Sequence, residues 1–192
     1  DRRGGEWMTH EALTAAEPKM VRAQEAMERD FAAIRTGRAS TALVERIPVD
    51  YYGTATPLNQ IAGISTPDAH LIVIQPWDRS VLSAIEKAIT KSDIGLMPNV
   101  DGTVVRLNVP PLTEERRKEM VKQVRRRAEE ARVEIRNHRR EAADQLKRAL
   151  KDGDLSEDEE HRELDNLQRL TDRHVEAVDG RAERKEAEVM EV

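Results

Sequence analysis

Apolar residues recur at helical spacing along one stretch, Thr113 to about Leu150, that contains neither Gly nor Pro. Val121, Val124, Ala128, Ala131, Ile135, Ala142 and Leu146 fall on a single stripe at three- and four-residue intervals, the period of a bundle or coiled-coil seam. The pattern predicts one helix of roughly 38 residues, about 57 Å long at 1.5 Å per residue. A stripe of that length needs helix partners elsewhere in the chain.

Two further segments supply them. From about Thr9 to Thr36, Leu13, Ala16, Met20, Met27, Phe31 and Ile34 repeat at helical spacing, and Gly37 suits the position just past that helix's C-terminus. Pro18 removes a backbone donor and crowds the preceding turn, which predicts a kink or the true start of the helix there. Asp152-Gly153 ends the long helix. Ser156 followed by Glu159 forms a capping box for a third, with its seam at Leu164, Leu167, Leu170, Val175, Val178, Ala182 and Val189.

Between the first and the long helix the pattern changes. Seven of the eight prolines lie between Ile47 and Pro111, among short β-branched and aromatic runs, IPVDYYG, HLIVIQPW and TVVRLNV, which read as strands. Asp101-Gly102 marks a tight hairpin, and Asp78 can cap a helix through Val81, Leu82, Ile85, Ala88 and Ile89 to about Ser92. Pro110-Pro111 closes this region, and Thr113 with Glu114 and Glu115 starts the long helix with a cap and a favourable first-turn charge.

The predicted fold is therefore α+β: a long three-helix bundle from residues 8–37 and 113–192, with a small β-rich α/β domain inserted at 38–112. Residues 1–7 read as an extension upstream of Met8, a natural start. The crossings at Gly37, Arg38 and Ala39 and at Pro110, Pro111 and Leu112 predict a hinge.

Composition narrows the chemistry. Charged residues make up 36% and aromatics 3% of the 192 residues, a balance that suits long solvated helices. With no Cys, disulfides, thiolate nucleophiles and Cys-based zinc sites are excluded. No phosphate-cradling, zinc-protease or nucleophile-elbow motif occurs, and His10, His70, His138, His161 and His174 lack ligand spacing. The expectation is a protein with no catalytic residues, metal or cofactor. No apolar run approaches a membrane span, which predicts a soluble cytoplasmic protein.

The net charge of −5 hides a sorted surface. A quarter turn from the long helix's seam lie Lys118, Lys122, Arg125, Arg132, Arg136, Arg139 and Arg140, with Glu129 the one acid among them, whereas Glu119, Glu130, Glu134 and Glu141 lie on the far side. A solvated face held by i,i+4 pairs of about 0.2–0.5 kcal/mol each is the plain explanation. The shortage of acids on that face, and the predominance of Arg, whose planar fork matches phosphate, point instead to a polyanion surface. With Tyr51, Tyr52 and Trp77 read as strand-domain core or edge, no stacking platform adjoins it, which favours structured RNA or a duplex backbone over single strands. Arg35 and Arg38 flank Gly37; they either complement a helix C-terminus or extend the positive surface near the N-terminal half of the long helix. The rival classes are a coiled-coil adaptor, which would self-associate, and a nucleotide-dependent RNA enzyme, which would bind nucleotide.

IRTGRAS at 34–40, DYYGTATPLNQIA at 50–62, PPLTEERRKEM at 110–120 and VEIRNHRREA at 133–142 occur in an order and at separations that resemble the bacterial ribosome recycling factor family. The likeness runs from Met8 to Val192. It implies a monomeric, L-shaped protein, a three-helix bundle with a hinged β-rich domain, that binds the large ribosomal subunit and its rRNA. Together with elongation factor G and GTP such a protein splits the post-termination complex into subunits, freeing mRNA and tRNA, and GTP hydrolysis belongs to the partner. The resemblance assigns rRNA contact to Arg35 and Arg38 and to Arg136, Arg139 and Arg140, with Arg116 and Arg117 as weaker candidates. The face pattern independently supports Arg132, Arg136, Arg139 and Arg140.

Overall fold

A computed structural model describes residues 10–191, so the extension at 1–7 and the expected start at Met8 and Thr9 lie outside the described residues. The chain forms two compact units. One takes in the described residues up to Phe31 with Val121–Ala187; the other is Ala32–Met120 with the residues from Glu188 onward.

The first unit is the helical bundle, made from α1 (Glu11–Ala32), most of α3 (Glu114–Lys151) and most of α4 (Glu157–Met190). Its interior is most of the predicted seam: Leu13, Ala16, Met20, Met27 and Phe31 from α1 are buried with Val124, Ala128, Ala131, Ile135, Ala142 and Leu146 from α3 and Leu167, Leu170, Val178 and Ala182 from α4, whereas Val121, Leu164 and Val175 are only half-buried and Ile34 lies beyond the end of α1. Each large apolar side chain removed from water contributes about 1.5–3 kcal/mol, which stabilises helices whose composition alone would leave them marginal. Ion pairs join every pair of helices: Lys19 to Glu141, Arg181 to Glu28, and Arg132 to Asp179. The α4 seam also contains three polar side chains that an apolar count passes over, Thr171, His174 and Lys185, all buried. Thr171 satisfies its hydroxyl by donating to the Leu167 carbonyl at 2.8 Å.

Two expectations about α1 need correction. The helix starts at Glu11 rather than at Pro18, which lies inside it. Pro18 is exposed, so the Thr14 carbonyl that loses its partner can be met by water. At the other end the helix stops at Ala32, four residues short of Thr36, so Gly37 is not its C-terminal cap. Gly37 takes φ +76° for a different reason: a Cβ there would lie 3.0 Å from the backbone nitrogen of Leu112, where the second crossing passes. The other boundaries match. Thr113 Oγ1 accepts from Arg116 N at 3.2 Å to start α3, and Ser156 and Glu159 exchange the two bonds of a capping box at the start of α4.

The second unit pairs β1 (Pro48–Tyr51) with β2 (Thr54–Pro57) in a hairpin. Beside it an antiparallel sheet is ordered β3-β4-β6-β5, from β3 (Ala62–Asp68), β4 (Leu71–Pro76), β5 (Pro98–Asp101) and β6 (Val104–Asn108). β4 and β6 are central and alternate correctly: Ile72, Ile74, Val105 and Leu107 all point into the core. Helix α2 (Leu82–Lys91) covers it with Ile85 and Ile89, after a short 3-10 turn capped by Asp78. The prolines sit where a missing donor costs least, at strand ends or beside the bulge of edge strand β3. β2 and β3 carry no regular apolar alternation, which is why the sequence pattern did not reveal them. The β5–β6 hairpin turns on Gly102-Thr103, one residue later than expected, because Asp101 pairs with Val104 and Gly102 supplies the positive φ.

Candidate nucleic-acid interface

Within the bundle, Arg125, Arg132 and Arg139 occupy every seventh position of α3 and so line one edge. Helix α4 answers them. Arg125 Nε lies 2.8 Å from Glu186 Oε1, and Arg132 Nε lies 2.6 Å from Asp179 Oδ1. Arg132 also reaches Glu129 at 2.8 Å, and Arg136 approaches the same carboxylate at 3.7 Å. The side chain of Arg132 is 22% exposed against 70% for Arg125, so Arg132 is the more committed to internal pairing. Burial by itself would lower its pKa, but hydrogen bonds to Asp179 and Glu129 outweigh that and raise it, which keeps the guanidinium charged.

Here the expectation of an edge almost free of acids is overturned. Inspection of α3 alone finds Glu129 within the stripe and Glu114 at its start; the compensating carboxylates of Glu186 and Asp179 come from α4. The signal was present in the spacing, because Glu186, Asp179 and Asp172 are also seven residues apart, but their register against α3 is set by packing.

Arg139 differs from the other two. Its Nη1 donates to the neutral Gln168 Oε1 at 2.9 Å, and Gln168 in turn donates through Nε2 to Asp172 Oδ1 at 2.8 Å. Arg140 and Lys122 are exposed and have no ion-pair or hydrogen-bond partner among the described residues. Among the bundle candidates, Lys122 and Arg140 are therefore uncompensated, and of the three arginines spaced by seven only Arg139 keeps a neutral partner.

The remaining candidates lie in the second unit. Lys118 pairs loosely with Glu114 at 3.5 Å, and Arg116 with Glu119 at 2.8 Å. Arg35 Nη1 donates to the Ile94 carbonyl at 3.4 Å, and Arg38 pairs with Glu191 at 2.8 Å. Arg38 and Arg117 line a cavity of about 70 Å³ with Gly37, His70, Leu112 and Glu191. The backbone of both crossings is held to one turn, since Ala39 N donates to Ala69 O at 2.7 Å and Val109 N to His70 O at 2.8 Å.

The aromatic residues read as strand-domain core or edge divide. Tyr51 packs at the margin of the core, but Tyr52 and Trp77 are exposed. Tyr52 takes φ +50° in the β1–β2 turn, and its hydroxyl donates to Asp78 and lies 2.8 Å from Ser80. That bond from Tyr52, with a lesser one from Ser80, holds the Asp78 carboxyl below its ordinary pKa.

A long-helix bundle with a graded cationic edge, sharing its central helix with a small antiparallel α/β unit, defines a two-unit α+β protein. Residues 27–190 match the family described as ribosome recycling factor. The ribosome-recycling factor of Halalkalibacterium halodurans is 54% identical over 185 residues, covering 96% of this chain and 100% of that protein. That of Heliobacterium modesticaldum is 53% identical over the same extent. Among solved structures, a ribosome recycling factor in solution aligns with TM-score 0.78 at 45% identity, covering 94% of this chain and 96% of that one. The T. thermophilus ribosome recycling factor, described with E. coli elongation factor G on the E. coli post-termination complex, aligns with TM-score 0.66 at 48% identity, covering 96% of this chain and 100% of that one. The chain belongs to the ribosome recycling factor family.

Proposed function

We propose that this protein is a cytoplasmic, monomeric, non-enzymatic translation factor that recycles ribosomes after termination. It binds the large subunit through rRNA contacts of the bundle and, with elongation factor G and GTP, splits the post-termination complex into subunits. The observation that carries this reading is family membership over nearly the whole chain, with a relative described on the post-termination complex beside elongation factor G. The cationic edge of α3 supplies the chemistry, since arginines position phosphate through charged, bidentate hydrogen bonds. Among the described residues no helix is long and apolar enough to cross a membrane, and no cluster of His, Asp and Glu could hold a metal ion.

Mechanically, the bundle domain (8–37 and 113–192) anchors and the inserted domain (38–112) moves. The hinge is Gly37, Arg38 and Ala39 with Pro110, Pro111 and Leu112. The bonds from Ala39 and Val109 to the Ala69–His70 turn support placing the freedom on the helix side of those two bonds. Interdomain distances measured by spin labels in solution test this; a single narrow distribution would refute it.

Subunit splitting of post-termination ribosomes with the purified protein tests the function. Splitting is expected only with elongation factor G and GTP both present, and none in the complete mixture would overturn the reading. Replacing Arg139 by Ala should weaken large-subunit binding by on the order of 1–3 kcal/mol, the range for losing charged hydrogen bonds. Arg132→Ala should cost less, because Asp179 and Glu129 already engage that side chain.

A further inference from the structure

We infer that Gln168 is a positioning residue that keeps Arg139 available to ribosomal phosphate by standing between it and Asp172. The inference rests on the functional reading above.

The α3–α4 edge is an antiparallel ladder. Each step of seven residues along α3, Arg125 to Arg132 to Arg139, is matched by seven back along α4, Glu186 to Asp179 to Asp172. The first two rungs are direct ion pairs at 2.8 Å and 2.6 Å. By register the third should be Arg139 with Asp172, yet no such pair forms within 4 Å. Gln168, one turn away from Asp172 on the same helix, occupies the space between them.

Its amide suits the task chemically. The NH2 end donates to Asp172, which both occupies that carboxylate and fixes which way the amide points. The oxygen is thereby turned toward Arg139 and accepts one of its five N–H bonds. The guanidinium is held in place by a neutral acceptor, so its orientation is set while its charge stays uncompensated. Arg132, latched by two carboxylates, must give up existing charged bonds before it can serve a phosphate. Helix α4 thus decides, rung by rung, which α3 arginines are offered to RNA. The two acidic rungs restrain indiscriminate polyanion binding, and the neutral one concentrates contact at Arg139 with its unpartnered neighbour Arg140.

The inference predicts that a charge-neutral change at Gln168 weakens RNA binding. In Gln168→Ala, Arg139 is free to fall onto Asp172 and complete the third ion pair. Large-subunit binding should weaken severalfold, and the dependence of log K on log salt should become shallower by up to about one phosphate contact. Gln168 is exposed, so the thermal midpoint should barely change. The decisive arm is Asp172→Asn. In that background Arg139 has no acid to fall onto, and Gln168→Ala should have little further effect.

Purified large subunits, titrated at several salt concentrations with wild type, Gln168→Ala, Asp172→Asn, the double variant and Arg139→Ala, provide the test. Weakening by Gln168→Ala that vanishes in the Asp172→Asn background supports the role. Wild-type binding by Gln168→Ala while Arg139→Ala is weak, or equal weakening in both backgrounds, overturns it. Wild-type binding by Arg139→Ala would instead overturn the assignment of rRNA contact to this edge, and Gln168's role with it.

Discussion

Replacing Gly37 by Ala should destabilise the second unit by about 1–4.6 kcal/mol, and the structure separates the causes. The residue sits at φ +76°, where a side chain costs roughly 1–2 kcal/mol. The added Cβ would lie 3.0 Å from Leu112 N and 3.2 Å from Leu112 Cγ. The Cγ belongs to a side chain that can turn aside, but the backbone nitrogen cannot, and overpacking of that kind adds on the order of 1–3 kcal/mol. The smaller entropy of Ala in the unfolded chain returns about 0.4–1 kcal/mol. Gly95 provides the control: its φ is +68°, and a Cβ there meets nothing within 4 Å, so Gly95→Ala reports the backbone cost alone. Urea unfolding of the two variants should give unchanged m-values, with Gly37→Ala the lower in midpoint. If it is no costlier than Gly95→Ala, the two crossings are not packed against each other as described and the reasoning fails.

Phe31, fully buried and with the Arg181 guanidinium 5.7 Å from its ring centre, should cost about 3–5 kcal/mol on replacement by Ala; a loss below 1 kcal/mol in chemical denaturation would show that the bundle end collapses to fill the space. His174 accepts at Nδ1 from Gln24, and burial lowers its pKa, with Glu17 opposing and Arg173 reinforcing the shift. Its folded pKa lies below the unfolded value of about 6.5, so stability is full above that pH and falls as acid protonates the unfolded chain first. Urea midpoints measured from pH 8 downward should show this loss in wild type and a shallower one in His174→Gln; equal slopes would exclude His174 as the cause. Tyr52→Phe should let the Asp78 pKa rise toward its ordinary value, read from the NMR titration of that carboxyl, and an unmoved titration would mean the Tyr52 bond does not hold in solution.

What could be read from the residues alone, and what could not, divides along a physical line. The helix from Glu114 to Lys151 was legible because its determinants are local: a 3.6-residue apolar period, no Gly or Pro, a Thr cap and a Gly terminator. The seam residues followed from the same period. Edge strands β2 and β3 were not legible, because their pairing partners lie outside the segment and their faces need not alternate. The polar seam members Thr171, His174 and Lys185 were hidden for a related reason: a period scored on apolarity skips a buried position that is polar.

The cationic edge shows the division most clearly. Its arginines, their spacing and their place a quarter turn from the seam are properties of one helix and could be counted in the chain. Which of them keep their charge unspent depends on the register of α4 against α3, which puts Asp179 and Glu186 opposite two of them and a glutamine opposite the third. Register is set by how the apolar side chains of three helices interlock, and a helix cannot report the charges on its neighbour. The sequence by itself determined the helices, the seam and the family; only the tertiary structure decided which arginine stands free, because charge compensation across an interface is a property of pairs.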